Sequence, residues 1–311
     1  MTAALVPRDA DLPRAILYAT GAIGVFTVMG GIVKWLIVSY PLSQIIFCRN
    51  LFALLPLLPF IVQAGIGSLR TSRPGGHVLR CGIGFASMIT TFWSLAYLPL
   101  ANQTAIGFAA PLFVTVLAAI FLGETMRWRR TVAVMVGFGG VLLMVRPDGD
   151  GFFGDGRFFG SLLALFSTVT YAIVLIIIRR LSTTESSITI AFWFTMTGLV
   201  ASGLVLPFEF VAPVSLFDAG LFLAIGVLGG VAQILMTAAY RWGPASIVAP
   251  FDYSGMLWAL AIGWAVWGEL PTVDVLLGAV VVIASGLYIL HRESVRGIAG
   301  DRPPKPRVPA P

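Results

Sequence analysis

The most constraining feature of this chain is an internal repeat, because apolar motifs of its first half recur about 145 residues later. Ala96-Tyr97 and Gly123-Glu124 in the first half correspond to Ala239-Tyr240 and Gly268-Glu269 in the second. The chain therefore reads as a tandem duplication of one unit. If that unit crosses a membrane an odd number of times, its second copy must be inserted upside down relative to the first.

Composition places both units in a membrane. Hydrophobic residues make up 58% of the chain, charged residues make up 11%, and the mean hydropathy is +0.94, which leaves too little polar surface for a soluble globule. A membrane helix needs about 20 mostly apolar residues. Ten segments qualify: 14–38, 43–64, 76–98, 101–122, 129–146, 157–180, 187–208, 216–240, 245–268 and 273–292. The sequence thus predicts an all-α integral membrane protein with ten transmembrane helices as two inverted five-helix repeats. This arrangement is typical of secondary transporters.

The basic residues predict the orientation of these segments. With the N-terminus in the cytoplasm, most of the 20 Lys and Arg residues fall on the cytoplasmic side. Lys34, Arg146 and Arg157 fall on the outer side, and Arg49 falls inside a segment. This bias predicts that both termini are cytoplasmic. The predicted division is a cytoplasmic N-terminal segment 1–13, a first repeat 14–146, an extracytoplasmic loop 147–156, a second repeat 157–292 and a disordered cytoplasmic tail 293–311.

The residue types present argue against several kinds of chemistry. Neither Lys34 nor Lys305 lies in a phosphate-binding glycine loop. His77 and His291 have no cysteine at metal-ligand spacing. We therefore expect no cofactor and no metal. Acids, histidines and nucleophiles do not cluster as in an active site, so we do not expect an enzyme. Topology accounts for the basic charge, and we expect contact with lipid head groups rather than with nucleic acid.

Ionisable residues inside the apolar segments are the first candidate functional groups, because each is costly to place in a membrane. Asp252 lies on a stripe of small residues that lets a helix or a substrate approach closely. It either binds a substrate ammonium group or carries a proton. The alternative is a structural role, as an ion pair with Arg49 or Lys34 or as an aspartate that reaches water near a helix break. Arg49 either receives a substrate carboxylate or braces helices, and we expect the brace. We expect Lys34 to extend to the outer surface.

Two prolines mark the equivalent segment of each repeat. Pro111 lies in the fourth segment and Pro250 in the ninth. A proline leaves one helix carbonyl without its hydrogen bond and bends the helix, and interrupted helices often line transporter sites. The alternative is that membrane helices simply tolerate proline.

Four aromatic residues complete the candidate set: Trp93, Tyr97, Tyr253 and Trp258. Aromatic rings in the apolar segments can form a wall that stacks on a ring or holds an ammonium group. The alternative for each residue is core packing, which is the commoner role of a single aromatic side chain.

The passage from Ala109 to Glu124, together with the glycines that follow it, resembles the drug/metabolite transporter superfamily, specifically its EamA-type duplicated repeats. The motifs that carry the resemblance are Ala109-Ala110-Pro111-Leu112-Phe113, Leu122-Gly123-Glu124, Gly137, Gly139 and Gly140. The resemblance covers roughly 14–292, and Arg49 matches an arginine often found in the second helix of the family. The second repeat departs from the pattern around Asp252 and Tyr253.

The resemblance implies a small-molecule carrier of the bacterial inner membrane that works by alternating access. It also implies a central cavity lined by the first, third, fourth, sixth, eighth and ninth segments. The branch that exports amino acids or related metabolites is our first choice, because the interior is aromatic and carries both charges. An importer of S-adenosylmethionine-like metabolites is the alternative, followed by a channel or a membrane-embedded enzyme. The expected partners are a small-molecule substrate and the lipid bilayer, and the sequence leaves a homodimer open.

Overall fold

The computed structural model describes residues 11–122, 128–145, 156–181, 184–242 and 248–300, and this part of the chain is all-helical. The α-helices are α1 (Leu12–Leu36), α2 (Leu42–Ala64), α3 (Pro74–Ser94), α4 (Leu100–Gly107), α5 (Ala110–Leu122), α6 (Trp128–Val145), α7 (Arg157–Leu181), α8 (Ser187–Glu209), α9 (Leu216–Trp242), α10 (Gly255–Trp267) and α11 (Val273–Gly300). Short 3-10 helices cover Ile66–Leu69 and Ala249–Ser254.

Eight helical stretches of the described chain are long and apolar enough to cross a membrane. They are α1, α2, α4 together with α5, α6, α7, α8, α9 and α11. The protein is therefore a multi-pass membrane protein. The other two predicted segments correspond to α3, whose first turns carry His77 and Arg80, and to α10 with the 3-10 helix before it. The ten-span count remains a prediction.

Close helix packing depends on glycine at two crossings. A Cβ atom on Gly140 of α6 would lie 2.8 Å from the Gly278 carbonyl oxygen of α11, and a Cβ atom on Gly278 would lie 2.6 Å from the Gly140 carbonyl oxygen. A Cβ atom on Gly230 of α9 would lie 3.0 Å from the Ala53 carbonyl oxygen of α2. Any side chain at these positions would push the helices apart.

Helix pairing follows a regular pattern. The most extensive packing joins α1 to α9, α6 to α11, α2 to both α9 and α8, and α3 to α7. The α4 and α5 helices pack on α7, while α10 packs on α1 and α4. The largest buried cluster lies between these helices and includes Leu36, Ile45, Ile106, Leu112 and Ile225.

The helix connections meet at two ends of the bundle, which we call the Tyr40 end and the Glu185 end. At the first, the Tyr40 hydroxyl donates to Asp218 Oδ2 at 2.7 Å and accepts from the Val214 N–H at 2.9 Å. At the second, Glu185 accepts hydrogen bonds from Thr71 and Ser72. The connection after α1 therefore contacts the connection after α8, and the connection after α2 contacts the connection after α7.

The fourth and ninth segments are interrupted rather than continuous. The fourth consists of α4 and α5 with a break at Phe108 and Ala109, immediately before Pro111. In the described part of the ninth segment, Val248 is α-helical, residues Ala249–Ser254 form a 3-10 helix that contains Pro250, and α10 follows. Proline cannot donate the backbone hydrogen bond that a regular helix requires, so both interruptions have the same local cause.

The α11 helix is described as far as Gly300. The disordered tail remains a prediction. The Gly123-Glu124 motif, the Asp-rich stretch 146–155 and the tail 301–311 lie outside the described residues.

Candidate functional site

Asp252 lies in the 3-10 helix Ala249–Ser254, where the ninth segment is interrupted. Its Oδ1 atom is buried, and no hydrogen-bond partner for it occurs in the described part of the chain. The same holds for the Tyr253 hydroxyl and for Ser254 Oγ. Three consecutive side chains thus place unsatisfied polar atoms inside the bundle. Such atoms are costly in a membrane protein unless water or a ligand satisfies them.

The ion pair considered for Asp252 is absent from the described contacts. Lys34 pairs with Glu269 instead, and the Arg49 side chain donates to Asn50 Oδ1 at 3.0 Å. Lys34 is only 8% exposed, so the expectation that it extends to the outer surface is wrong. Its ammonium group also lies 5.1 Å from the ring centroid of Trp267. A carboxylate and an aromatic ring therefore stabilise Lys34 inside the protein.

Two tyrosines, Tyr253 and Tyr171, lie near Asp252. The Tyr253 ring packs edge-on against Phe108 at 5.1 Å between centroids, and its hydroxyl lies against Gly286 of α11. Asp252 also lies within electrostatic range of the Tyr171 hydroxyl on α7. Tyr171 is 50% exposed and lies on a helix that packs on both α3 and α5.

Trp258 contacts a different helix. Its indole ring lies against Gly24 of α1, where an added Cβ atom would be 3.0 Å from the ring. The ring is 41% exposed. One edge of the Trp258 ring therefore packs α10 against α1, and the rest of the ring is exposed.

Trp93 and Tyr97 belong to a second aromatic cluster. Both rings pack edge-on against Phe159 at the start of α7, at 5.6 and 5.4 Å between centroids. Tyr97 also covers Gly156 and Gly160. These contacts lie at the Tyr40 end of the bundle, since Leu100, which follows the cluster in sequence, packs on Gly30 in the second half of α1. The structure thus divides the predicted aromatic wall into two separate groups.

Arg80 is a candidate that the sequence interpretation missed, because it was counted among the cytoplasmic charges. The residue is only 9% exposed, and its guanidinium carbon lies 3.9 Å from the ring centroid of Phe194 on α8. Arg49 approaches the same ring, at 5.8 Å. The sequence did contain an indication, because Arg80 lies inside the third apolar segment just as Arg49 lies inside the second.

Two of the proposed structural residues have clear local contacts. The carbonyl oxygen of Pro111 accepts a hydrogen bond from the Thr115 hydroxyl at 2.9 Å. Pro250 occupies the first turn of its 3-10 helix, where the missing N–H would have no partner in any case. Both prolines are therefore accommodated without a strained backbone, and their part in transport stays a prediction.

Outside the membrane segments, Glu185 forms the main polar cluster of its end of the bundle. Its Oε1 atom accepts from the Thr71 hydroxyl at 2.9 Å, the Ser72 N–H at 2.9 Å and the Ser72 hydroxyl at 3.0 Å. His77 Nε2 lies 3.8 Å from Oε2. Burial alone would raise the pKa of Glu185, but the hydrogen bonds and His77 outweigh it and hold that pKa below its ordinary value.

The described residues contain no group of three or more potential metal ligands. The central site instead contains cationic, anionic and aromatic side chains on interrupted or closely packed membrane helices. Such a constellation can bind a small charged molecule and offers no nucleophile and base in contact. The fold and the site together define a membrane carrier for small molecules.

The chain belongs to the EamA-like transporter family, whose model matches residues 13–146 and 158–290. This match confirms the resemblance to the drug/metabolite transporters. The family and the relatives that the chain matches are all transporters, so the chain is a transporter of small metabolites and not an enzyme.

Relatives with different cargoes share similar identity with this chain. The S-adenosylmethionine uptake transporter of Rickettsia bellii is 29% identical over 250 residues, covering 80% of this chain and 84% of the relative. The pseudopaline exporter CntI of Pseudomonas aeruginosa is 29% identical over 278 residues, covering 88% and 95%. The riboflavin transporter of Rhizobium johnstonii is 28% identical over 274 residues, covering 87% and 89%.

A solved structure supports the fold. One crystal structure of a protein superposes with a TM-score of 0.61 at 17% sequence identity and covers 91% of this chain and 98% of its own. At this identity the likeness concerns the fold alone.

Proposed function

We propose that this protein is a secondary transporter that exports an amino acid or a related small metabolite across the bacterial inner membrane, and that Asp252 receives the amine of the substrate. The observation that carries the proposal is the buried Asp252 Oδ1 atom, which lacks a hydrogen-bond partner in the described chain and lies where a membrane helix is interrupted. A substrate ammonium group would satisfy it by a charge-assisted hydrogen bond.

Alternating access requires two halves that can rearrange about the site. Helix packing supports two inverted halves of five spans each. Under the proposed repeat, α1 corresponds to α7 and α9 corresponds to α3, so the α1–α9 contact has its counterpart in the α7–α3 contact. The α2–α8 and α6–α11 contacts each join corresponding helices. A two-fold axis in the membrane plane would generate this pattern.

The contacts at the ends of the bundle support the proposed topology. If the N-terminus is cytoplasmic, the Tyr40 end faces outward and the Glu185 end faces the cytoplasm. The Lys34–Glu269 pair and the Tyr40–Asp218 hydrogen bond would then close the outer side. The hydrogen bonds of Glu185 would close the inner side. Transport requires that the two sets of contacts open in turn.

Uptake is the second candidate direction. The relatives include transporters named for S-adenosylmethionine uptake as well as an exporter of pseudopaline. An inverted repeat is close to symmetric about the membrane plane and so does not favour one direction by its geometry. The driving gradient, rather than the fold, decides the direction of net flux.

A counterflow screen in proteoliposomes tests the proposal. Purified protein is reconstituted, the vesicles are loaded with one unlabelled amino acid, S-adenosylmethionine or riboflavin at a time, and the uptake of the same labelled compound is followed with and without a pH gradient. We expect transient accumulation of at least one amine-containing compound, and loss of that accumulation in Asp252→Asn. Currents of channel size, or counterflow that Asp252→Asn leaves unchanged, would contradict the proposal.

A further inference from the structure

We propose that Arg49 and Arg80 form an anion-binding subsite that receives the carboxylate of the substrate. This inference rests on the proposed function and deepens it, because it adds a required acidic group to the substrate. It assigns to Arg49 the substrate contact instead of the helix brace that the sequence favours.

The two guanidinium groups converge on one aromatic ring. Arg49 projects from α2 and Arg80 from α3, and their guanidinium carbons lie 5.8 and 3.9 Å from the centroid of Phe194 on α8. The two charges are also within electrostatic range of each other. Three helices thus bring two like charges together inside the bundle, where they repel each other more strongly than they would in water.

The described protein supplies little to balance these charges. Neither arginine takes part in a salt bridge with any described residue. Arg80 Nε and Nη1 and Arg49 Nε are buried and have no hydrogen-bond acceptor there. In the described chain, Arg49 donates a hydrogen bond to Asn50 Oδ1. Several guanidinium donors are therefore left for a ligand.

Neighbouring groups fix the orientation of each arginine. Asn50 is fully buried, accepts from Arg49 at 3.0 Å and donates to the Ile46 carbonyl oxygen at 2.8 Å, so it holds Arg49 from one side. Gly229 of α9 lies against the other side of Arg49, where an added Cβ atom would be 3.4 Å from Arg49 Nε. An added Cβ atom on Gly84 would lie 3.1 Å from Arg80 Nη1.

This fixed orientation favours a role for the two arginines in binding an anion over a role in bracing helices. A brace would direct the guanidinium donors at backbone carbonyls or at a carboxylate of another helix. Here the guanidinium groups lie near the Phe194 ring, and the buried Arg49 Nε, Arg80 Nε and Arg80 Nη1 atoms have no acceptor in the described chain, so these donors are available for an oxyanion. A carboxylate with two oxygens matches the forked donors of a guanidinium.

Tyr171 on α7 has both Arg80 and Asp252 among its charged neighbours. The site therefore has a cationic region at Arg49 and Arg80 and an anionic region at Asp252, with an aromatic side chain near Arg80 and Asp252. The matching substrate class is a zwitterion with a carboxylate at one end, an amine or another cation at the other, and an apolar or aromatic part between them.

The anion site can be tested without knowing the substrate, by using acetate as the probe. Purified protein in detergent is titrated with acetate at constant ionic strength, with chloride as the replaced anion, and the melting temperature is recorded. We expect saturable stabilisation of the native protein and a loss of at least about tenfold in apparent acetate affinity in Arg80→Gln and in Arg49→Gln. Arg14→Gln is the matched control, since Arg14 is exposed and pairs with Asp11, and it should behave like the native protein.

Conservative variants cover the case in which a glutamine variant does not fold. Arg80→Lys and Arg49→Lys keep the charge and lose the forked donor, so both should bind acetate more weakly than the native protein. An acetate response of equal midpoint and amplitude in the native protein and all folded Arg49 and Arg80 variants would overturn the proposal, as would the absence of any response in the native protein.

Counterflow separates this inference from the proposed function. A compound that undergoes counterflow is compared with its carboxamide, which keeps the amine and the rest of the molecule. We expect the native protein to exchange the acid at least about tenfold faster than the amide, and Arg80→Gln to remove this preference. Equal exchange of acid and amide would overturn the anion subsite while leaving the transporter proposal intact. An acetate response without any counterflow would contradict the transporter proposal alone.

Discussion

Two regions of the bundle bury cations in opposite ways. At the Tyr40 end, Lys34 is matched by Glu269 and lies near the Trp267 ring. In the middle of the bundle, Arg49 and Arg80 share the Phe194 ring and form no salt bridge with a described residue. Both regions bury cationic groups, so an electrostatic cost applies to each.

The difference indicates which charges serve the fold and which serve a ligand. A paired buried cation links elements of the fold, here α1 to the connection after α10. An unpaired one raises the energy of the empty protein and is retained only where something else compensates. The buried carboxylate of Asp252 belongs to the second group. Stability and transport should therefore respond differently to substitutions in the two regions.

The largest effect on stability is expected for Glu269→Gln. This change leaves the Lys34 ammonium group buried without its carboxylate and should lower the free energy of unfolding by about 2–3 kcal/mol. Thermal unfolding in detergent measures the loss. Asp274→Asn is the matched control because Asp274 is a nearby exposed acid, and it should leave stability unchanged. Adding Lys34→Gln to Glu269→Gln should recover part of the loss, whereas additive losses in the double variant would show that the pair contributes nothing.

The largest effect on transport is expected for Asp252→Asn. The substitution keeps the shape and removes a charge that no described residue balances. Counterflow should fall by at least about tenfold, and any dependence of transport on pH should weaken, while the melting temperature stays equal or rises. A variant that unfolds at a lower temperature and still transports at the native rate would place Asp252 with Lys34 and Glu269 among the structural charges.

A smaller effect is expected for Tyr171→Phe. The hydroxyl has Arg80 and Asp252 among its charged neighbours, and its removal takes away one polar group without changing the charge of either region. The apparent affinity for the exchanged compound should fall by roughly threefold to tenfold, as for loss of one neutral hydrogen bond. Tyr288→Phe on α11 is a control of the same chemistry. An equal loss of apparent affinity in Tyr171→Phe and Tyr288→Phe would argue against a role of the Tyr171 hydroxyl in the substrate site.

The smallest effect concerns pH and the Glu185 end. Because the pKa of Glu185 is held below its ordinary value in the folded protein, its contribution to stability is complete above the unfolded-state pKa and is lost as pH falls through the folded-state pKa. The native protein should therefore lose stability in mild acid, and Glu185→Gln should flatten this part of the profile. Unfolding curves recorded from neutral pH to about pH 4 provide the measurement. If the stability of Glu185→Gln varied with pH in parallel with that of the native protein, Glu185 would not contribute to the pH dependence.

Local sequence patterns predicted the features that depend on local physics. The apolar segments correspond to helices because each is long enough to satisfy its own backbone hydrogen bonds. The interruptions next to Pro111 and at Pro250 follow from the missing proline N–H. The orientation argument places Lys34 and Glu269 at the same side of the membrane, so this ion pair could have been anticipated, although the sequence interpretation paired Lys34 with Asp252 or with the surface.

The central site depends on which helices pack together, and no local pattern contains that information. Arg49 and Arg80 are 31 positions apart in the sequence and meet because α2 and α3 both pack on α8. Charge counting assigned Arg80 to the cytoplasmic side, since that method considers only the distance from a segment end. Trp93 and Tyr97 were grouped with Asp252 by residue type, and the structure places them on Phe159 instead.

Thermal unfolding of Lys34→Gln and Arg80→Gln side by side tests the central distinction most directly, because the two changes remove one buried positive charge each. Our account predicts that Lys34→Gln lowers the melting temperature by several degrees, whereas Arg80→Gln leaves it within about 2 °C of the native value or raises it. Counterflow by the same preparations should show the reverse order, with the greater loss in Arg80→Gln. Equal losses of stability in both variants, with transport retained in Arg80→Gln, would contradict the assignment of the unpaired charges to the substrate.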